Sequence, residues 1–521
     1  MNTPSGESLT LWMNQVPPLR REPLNENISV DVCVVGAGIA GLTSAYLLLK
    51  AGRSVAVLES ATIGSGQSGR TTAHFVTALD DRYFNLEKYH GLEGARLAAE
   101  SHSAAIDQVE EIIQTENIDC DWRRLSGYLY LSPYEDLSLL EKEYDAVLRT
   151  GAMSIQWLDR APLATFDTGK CLHFPRQACF HPMKYLAGLT RAIEAMGGKI
   201  YTETHADKIE GGKPAHVTTQ DHFTVTATAL LVATNTPIND FAVIHTKQVP
   251  YRSYVIAAPI PKGCVNPGLY WDTHDSYHYI RVDDAAMDKD YLLVGGEDHK
   301  TGQNKHPEQA FDRLEKWTKK HFPMVQSIAY RWSGQVMEPV DGLAYIGRNP
   351  MDSDNVYIIT GDSGNGMTHC TLGAMLISDL IMGRENAWEK LYSPSRISLR
   401  SAPQYIKDNI NTISQYRSWF ASSETSSVDG IECGEGAVIR DGLSQTAVYR
   451  AEDGGLHRCS AVCPHMGAIV AWNRVEKTWD CPCHGSRFDA QGHVINGPAI
   501  TNLAEVNAAP AEPLDCISAT H

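Results

Sequence analysis

Positive charge is in short supply. Lysine and arginine number 45 against 62 aspartates and glutamates, a formal net charge of −17. A chain this acidic repels phosphate backbones and anionic lipid, so general nucleic-acid or membrane-surface binding is not expected. Long hydrophobic runs are nearly absent too. The one stretch to test, 32–49, is eighteen residues without a charge, at the lower edge of a bilayer span. It carries three glycines in a fixed pattern plus Thr43, Ser44 and Tyr46. A buried strand running into a buried helix accounts for it better. The opening MNTPSGESLT lacks the basic and apolar regions of a signal peptide, which predicts a cytoplasmic chain, where disulfides are scarce.

Cysteine is thin over most of the sequence. Five are scattered through the first 264 residues, Cys370 stands alone, and six of the twelve fall after residue 430. Four of those six, Cys459, Cys463, Cys481 and Cys483, crowd together, which in a reducing compartment suggests metal before crosslinks. What remains is ordinary: 43% hydrophobic and 21% charged residues exclude wholesale disorder and a membrane bundle. At 521 residues the chain is too long for one core, and three or four folding units are expected.

The first motif lies in DVCVVGAGIAGLTSAYLLLKAGRSVAVLES, residues 31–60. It reads as strand, glycine turn, helix and second strand, a βαβ unit of the usual size. Gly36 makes the tight turn, Gly38 lets a pyrophosphate approach the backbone, and Gly41 lets helix and strand pack closely. The helix N-terminus then offers free N–H groups to phosphate, and Glu59 ends the second strand where an acid can hold ribose hydroxyls. The fingerprint alone does not separate NAD from FAD.

Two further stretches bear on that choice. Residues 65–72, SGQSGRTT, form a second small-residue loop containing Ser68, Gly69, Arg70 and Thr71. Residues 355–374, NVYIITGDSGNGMTHCTLGA, take a strand into a Gly-rich turn with Gly361, Gly364, Asn365, Gly366 and Met367, and then into a helix. With the fingerprint, these resemble in order the D-amino-acid-oxidase-like FAD family, over about 350 residues. The resemblance implies that the loop runs beside the pyrophosphate and flavin. It also implies that the second helix aims its N-terminus at the flavin N1–C2=O edge, where its dipole stabilises negative charge on the reduced ring. Some relatives tether flavin through a histidine near this loop; His74 is nearby, but its spacing does not register with that motif.

Near the carboxy terminus, Cys463-Pro464-His465 is followed by Cys481-Pro482-Cys483-His484. A mixed cysteine and histidine set also suits zinc. The surrounding CPHMGA and CPCHGSRFDAQGHVINGPA resemble the two cluster loops of the Rieske family. That resemblance implies a [2Fe–2S] cluster held by Cys463, His465, Cys481 and His484, two cysteines on one iron and two histidines on the other. Respiratory members bridge their loops with a disulfide. Cys483 matches one half, but residue 468 is alanine, and Cys459 is badly placed to replace it. Ser486 matches the hydroxyl that donates to a bridging sulfide, whereas Phe488 replaces the usual tyrosine and removes a donor, which implies a lower potential than in the respiratory proteins.

The expected architecture is an α/β Rossmann-like FAD-binding domain with an inserted antiparallel β substrate sheet over 1–400. A helical segment and linker follow at 401–424, with SSETSSVDG at 422–430 as the polar stretch, and then an all-β Rieske domain over 425–521. The resemblance implies hydride removal from a carbon next to nitrogen in a small amine or amino-acid-like substrate, with electrons relayed singly to an external acceptor. Two other readings are a reductase feeding a partner oxygenase, which would need a second GxGxxG that the sequence lacks, and a redox sensor without turnover. Substrate-facing candidates are Tyr254, Tyr277, Arg281 and His369. Residues 277, 279 and 281 alternate onto one strand face, and Arg281 could pair with a substrate carboxylate. No residue stands out as an obligatory base.

Overall fold

A computed structural model describes residues 6, 8–239, 243–274, 276–350, 352–420, 427–442 and 444–506. Most of the 422–430 linker and the end of the chain thus lie outside the described residues.

Three strands rich in valine and leucine, Ile28–Val35, Val55–Leu58 and Thr224–Val232, form the centre of a mixed sheet. They pair in parallel, with Val34 opposite both Val57 and Leu231. Burial on both faces explains their near-continuous apolar sequences. Helix Ile39–Lys50 crosses from the first strand to the second, and Gly36 is needed at the turn between them. Its φ is +107°, and a Cβ there would stand 2.5 Å from the Ala233 carbonyl oxygen. Gly41 is needed for a different reason: a Cβ would meet the Gly36 carbonyl oxygen at 1.9 Å. Strand Val356–Thr360 joins the same sheet in parallel beside Thr224–Val232 and delivers the chain into helix Gly366–Ile381.

The second sheet has eight strands, ordered Tyr330–Pro339, Gln248–Ile260, Asp290–Lys300, His278–Asp283, Leu269–Asp272, Arg123–Tyr130, Cys171–Cys179 and Gln156–Leu158. Its neighbours run antiparallel except Leu269–Asp272 against Arg123–Tyr130, which is parallel. One face of Gln248–Ile260 carries Tyr254, Ile256 and Ala258 into a core with Phe311 and Leu314, and the other faces the first sheet's domain.

The carboxy-terminal part is β-structure in two small sheets, Gly436–Asp441 to Leu456–Ser460 and Ala471–Asn473 to Val494–Asn496. Trp479 and Phe488 fill its core. This domain is docked on the rest of the chain through buried charge. Glu476 is 1% exposed and takes hydrogen bonds from the hydroxyls of Ser8 and Ser333. The guanidinium groups of Arg70 and Arg252 lie 3.9 and 3.4 Å from its carboxylate. Burial alone would raise the Glu476 pKa, but Arg70, Arg252 and Arg487 hold it below the usual carboxylate range. Among the described residues, no helix is long and apolar enough to cross a membrane.

Candidate functional site

A cavity of about 940 Å³ runs from the glycine fingerprint, between the two large sheets, to the carboxy-terminal domain. Gly36, Gly38, Glu59, Ser68, Arg70 and Thr71 line it at one end, and Gly364, Asn365, Gly366 and Met367 line it further along. Glu59 Oε2 accepts the Ala37 N–H at 2.8 Å, and Ser68 Oγ accepts the Ile39 N–H at 3.0 Å. The acid and the loop therefore meet at the start of the helix, where backbone donors converge on an anion. Gly41 and Gly69 do not line the cavity. They permit close packing behind it, a Cβ on Gly69 falling 2.5 Å from the Gly64 carbonyl oxygen. This cradle, with its converging amides and glycine approach, fits an FAD.

The substrate-facing candidates divide. Tyr277 and Tyr279 line the cavity, and the Tyr277 hydroxyl donates to Asp80 at 3.0 Å. His369 also lines it, its Nδ1–H donating to the Asp362 carbonyl at 2.9 Å, and burial pushes its pKa down to about 4. Tyr254 is on the wrong face for substrate. Its neighbours Ser253 and Val255 reach the cavity, and alternation turns Tyr254 onto His299 and Phe311. Arg281 shares the tyrosines' face but not the cavity. Its guanidinium sits 5.1 Å from the Trp12 ring and donates to the carbonyls of Thr72 and Phe180, so it braces the loop around His74. Both His74 ring nitrogens are engaged, Nδ1 with Thr72 Oγ1 at 3.0 Å and Nε2 with the Ile280 carbonyl at 3.2 Å.

Motif reading missed the acids. Asp80 and Asp362 line the cavity beside the Gly364–Met367 turn, with Asp81 and Glu338 behind them sharing the Ser363 hydroxyl. Burial pushes the Asp362 carboxyl up to about 6, and Asp80 adds to the effect. Arg70 is the one arginine among the described lining residues, and no lysine is among them. Arg70 already donates to Ser8 and to the Ser333 carbonyl. No local pattern marks these acids, which come from three separate segments.

Cys463, His465, Cys481 and His484 are all buried in two adjoining loops. The thiols of Cys463 and Cys481 neighbour one another, and their interaction together with burial raises the Cys463 pKa far above that of a free thiol. The two imidazoles meet edge to face, their centroids 5.1 Å apart. Burial pushes His484 down to about 4, so it is neutral, as a metal-bound imidazole must be. Among the described residues no three such side chains converge as a single-ion site. The four instead pair thiol with thiol and imidazole with imidazole, the division a two-iron cluster requires, and the residues fit a [2Fe–2S] group. Ala468 is buried beside Cys463, and the Cys483 thiol points to the Thr412 carbonyl at 3.6 Å instead of across the loops.

These loops face the cavity domain. His245 packs against both cluster histidines, at 4.9 Å from His465 and 6.0 Å from His484. Gln335 Nε2 donates to the Gly485 carbonyl at 3.1 Å, while Asn496 Nδ2 donates to Gln335 Oε1 at 2.8 Å. Gln335 is itself a cavity-lining residue, and Asn496 and Gly497 line the cavity from the other side.

Comparison with known proteins agrees with this geometry. Residues 31–380 match the family of FAD dependent oxidoreductases known as DAO, and residues 418–507 match the Rieske [2Fe-2S] domain. A putative Rieske 2Fe-2S iron-sulfur protein, YhfW of Bacillus subtilis (strain 168), is 31% identical over 500 residues, covering 96% of this chain and 97% of its own. Gamma-glutamylputrescine oxidoreductase of Escherichia coli (strain K12) is 28% identical over 382 residues, 70% of this chain and 86% of that protein. Glycine oxidase from Geobacillus kaustophilus superposes with a TM-score of 0.59 at 19% identity, covering 71% of this chain and 100% of that one, a likeness of fold. The chain therefore belongs to the DAO family of FAD-dependent oxidoreductases and carries a carboxy-terminal Rieske domain.

Proposed function

We propose that the protein oxidises a C–N bond of a small cationic amine, bound FAD accepting the hydride and the Rieske cluster passing the electrons singly to an external acceptor. The observation that carries this reading is the continuity of one cavity wall with the cluster loop through Gln335. That contact joins the two cofactor sites within a single chain.

The cavity's own residues support an amine over an α-amino acid. A carboxylate-bearing substrate calls for a buried cation to pair with it. Arg281 is occupied elsewhere, and Arg70 is paired with Glu476 of the docked domain. Asp80 and Asp362 instead offer an amine cation two carboxylates, and they can take up the proton that its nitrogen must lose before hydride departs. Tyr277 fixes Asp80, and the apolar walls Val255, Trp271, Val336 and Ala344 shed water around the reacting carbon.

Anaerobic rapid mixing with a panel of diamines, N-methyl amines and amino acids tests the reading. A cationic amine should bleach the flavin before, or together with, the appearance of the reduced-cluster EPR signal. Asp80→Asn should raise KM for that amine about tenfold or more, the scale of one charge-assisted hydrogen bond. Turnover confined to amino acids and indifferent to Asp80→Asn would refute the choice of substrate. A Cys481→Ser protein with full turnover on its physiological acceptor would take the cluster off the path.

A further inference from the structure

The helix Ala402–Gln415 is turned inside out. Its polar face packs inward: Asp408 is buried and bonded to Lys300 at 2.9 Å, and Asn411 accepts from Gln303 at 3.0 Å. Ile406, Ile410 and Ile413, one above another at spacings of four and three, point outward and are 57%, 62% and 67% exposed. Five of the ten exposed large hydrophobics among the described residues fall between 397 and 413. A ridge of three isoleucines cannot be stabilising where it stands, since its burial elsewhere would be favourable by several kcal/mol.

The charge around the ridge is opposite to that of the chain. Between 400 and 417 the exposed ionic side chains are Arg400, Lys407 and Arg417, and the segment's one acid, Asp408, is turned inward onto Lys300. Lys407 flanks the isoleucine row, Arg417 continues it, and the exposed Tyr405 stands beside it in sequence. In a chain of net charge −17 this is a local cationic surface with an apolar crest. An amphipathic helix of that composition matches the boundary between phospholipid headgroups and acyl chains. A second copy of the chain is a poorer occupant. A two-fold contact would set the three cations against their own equivalents, and the ridge is convex where a self-complementary surface would need a groove.

We propose that this face docks on an anionic phospholipid bilayer. The docking places the cluster loops close to the membrane. On its inner side the same helix accepts the Cys483 thiol at Thr412, and just past its end the Tyr416 hydroxyl and Trp419 indole donate to the carbonyls of Met466 and Gly467. One helix diameter, about 10 Å, separates those loops from the lipid. The inference stands apart from the choice of substrate, because it concerns a surface that the cavity does not reach.

Flotation of the intact holoprotein with vesicles tests it. The protein should rise with vesicles rich in phosphatidylglycerol and remain largely below vesicles of pure phosphatidylcholine. Replacing Ile406→Asn, Ile410→Asn and Ile413→Asn together should lower the bound fraction about tenfold or more. Lys407→Glu with Arg417→Glu should give a similar loss on phosphatidylglycerol without unfolding, because both side chains are exposed. Flavin absorbance and cluster EPR should be unchanged in both variants, which separates loss of docking from loss of fold. A wild-type protein that floats with neither vesicle, or an isoleucine variant that floats as well as wild type, would overturn the proposal. So would a wild-type dimer that the isoleucine substitutions dissolve, which would give the face to a second copy.

Discussion

Replacing Glu476 by alanine should undock the Rieske domain while leaving both domains folded. In the native chain two guanidinium groups approach this one carboxylate, with Ser8 and Ser333 completing its hydrogen bonds. All the charges are buried, and burial has already lowered the Arg70 and Arg252 pKa values to about 10. Removing one partner from a buried ion pair leaves the others uncompensated and costs about 3–5 kcal/mol. At about 1.4 kcal/mol per power of ten, the docking equilibrium should shift by roughly two to four powers of ten. Small-angle scattering should then show an expanded particle, and calorimetry two separate transitions. Adding Arg252→Met should recover part of the loss, since it removes one of the two guanidinium groups that the substitution leaves unpaired. The pH dependence follows from the sign of the shift. Glu476 has a depressed pKa, so its contribution is full above the ordinary carboxylate range near 4.3 and disappears as pH falls through its folded value. An alanine variant that stays compact, melts in one unshifted transition and shows no added acid sensitivity would refute the argument.

Two further outcomes are expected. With Ala468 beside Cys463 and the Cys483 thiol aimed at Thr412, dithiothreitol should leave the cluster's visible spectrum unchanged, and selective release of the cluster would show that a disulfide supports the loops after all. His484→Ala should abolish acid-labile sulfide while the purified protein retains about one FAD per chain, because His484 is not among the residues lining the cavity that includes the flavin cradle; loss of both cofactors together would show that the two sites fold as one.

What could be read from the sequence is what lies close together in it. Gly36, Gly38 and Gly41 act within one turn, and each cluster loop brings its two ligands within a few residues, so motif spacing carries the geometry. Strand alternation correctly put residues 277, 279 and 281 on one face, but it could not give depth. Tyr277 and Tyr279 reach the cavity, whereas Arg281, two residues on, lies beneath Trp12. Tyr254 illustrates a related failure. It is a substrate-facing candidate by sequence, yet a bulge between Arg252 and Tyr254 accompanies a strand in which Ser253 and Val255, not Tyr254, line the cavity. Asp80, Glu338 and Asp362 meet only because strands from both sheets and the loop after the fingerprint converge. Nothing in their neighbours announces that meeting.

The docked domain is the largest feature with no local signal, and it changes what the linker means. Read alone, a polar connection allows the cluster to serve its own flavin site or a neighbour's. Glu476 stands more than two hundred residues from both Arg70 and Arg252 in sequence, and their buried pairing is satisfied within one chain. A tether holds the two surfaces at high effective concentration, so even a modest interface stays closed. The orientation it enforces is directional. The histidine side of the cluster site faces His245 and the cavity wall, while the Cys483 side lies under the Ala402–Gln415 helix. Under the proposed function, donor and exit then lie on different sides of the cluster site, and a partner could meet the exit side without displacing the flavin domain. A Rieske domain that had to swing free to reach its acceptor would not be fastened by a buried carboxylate between two arginines.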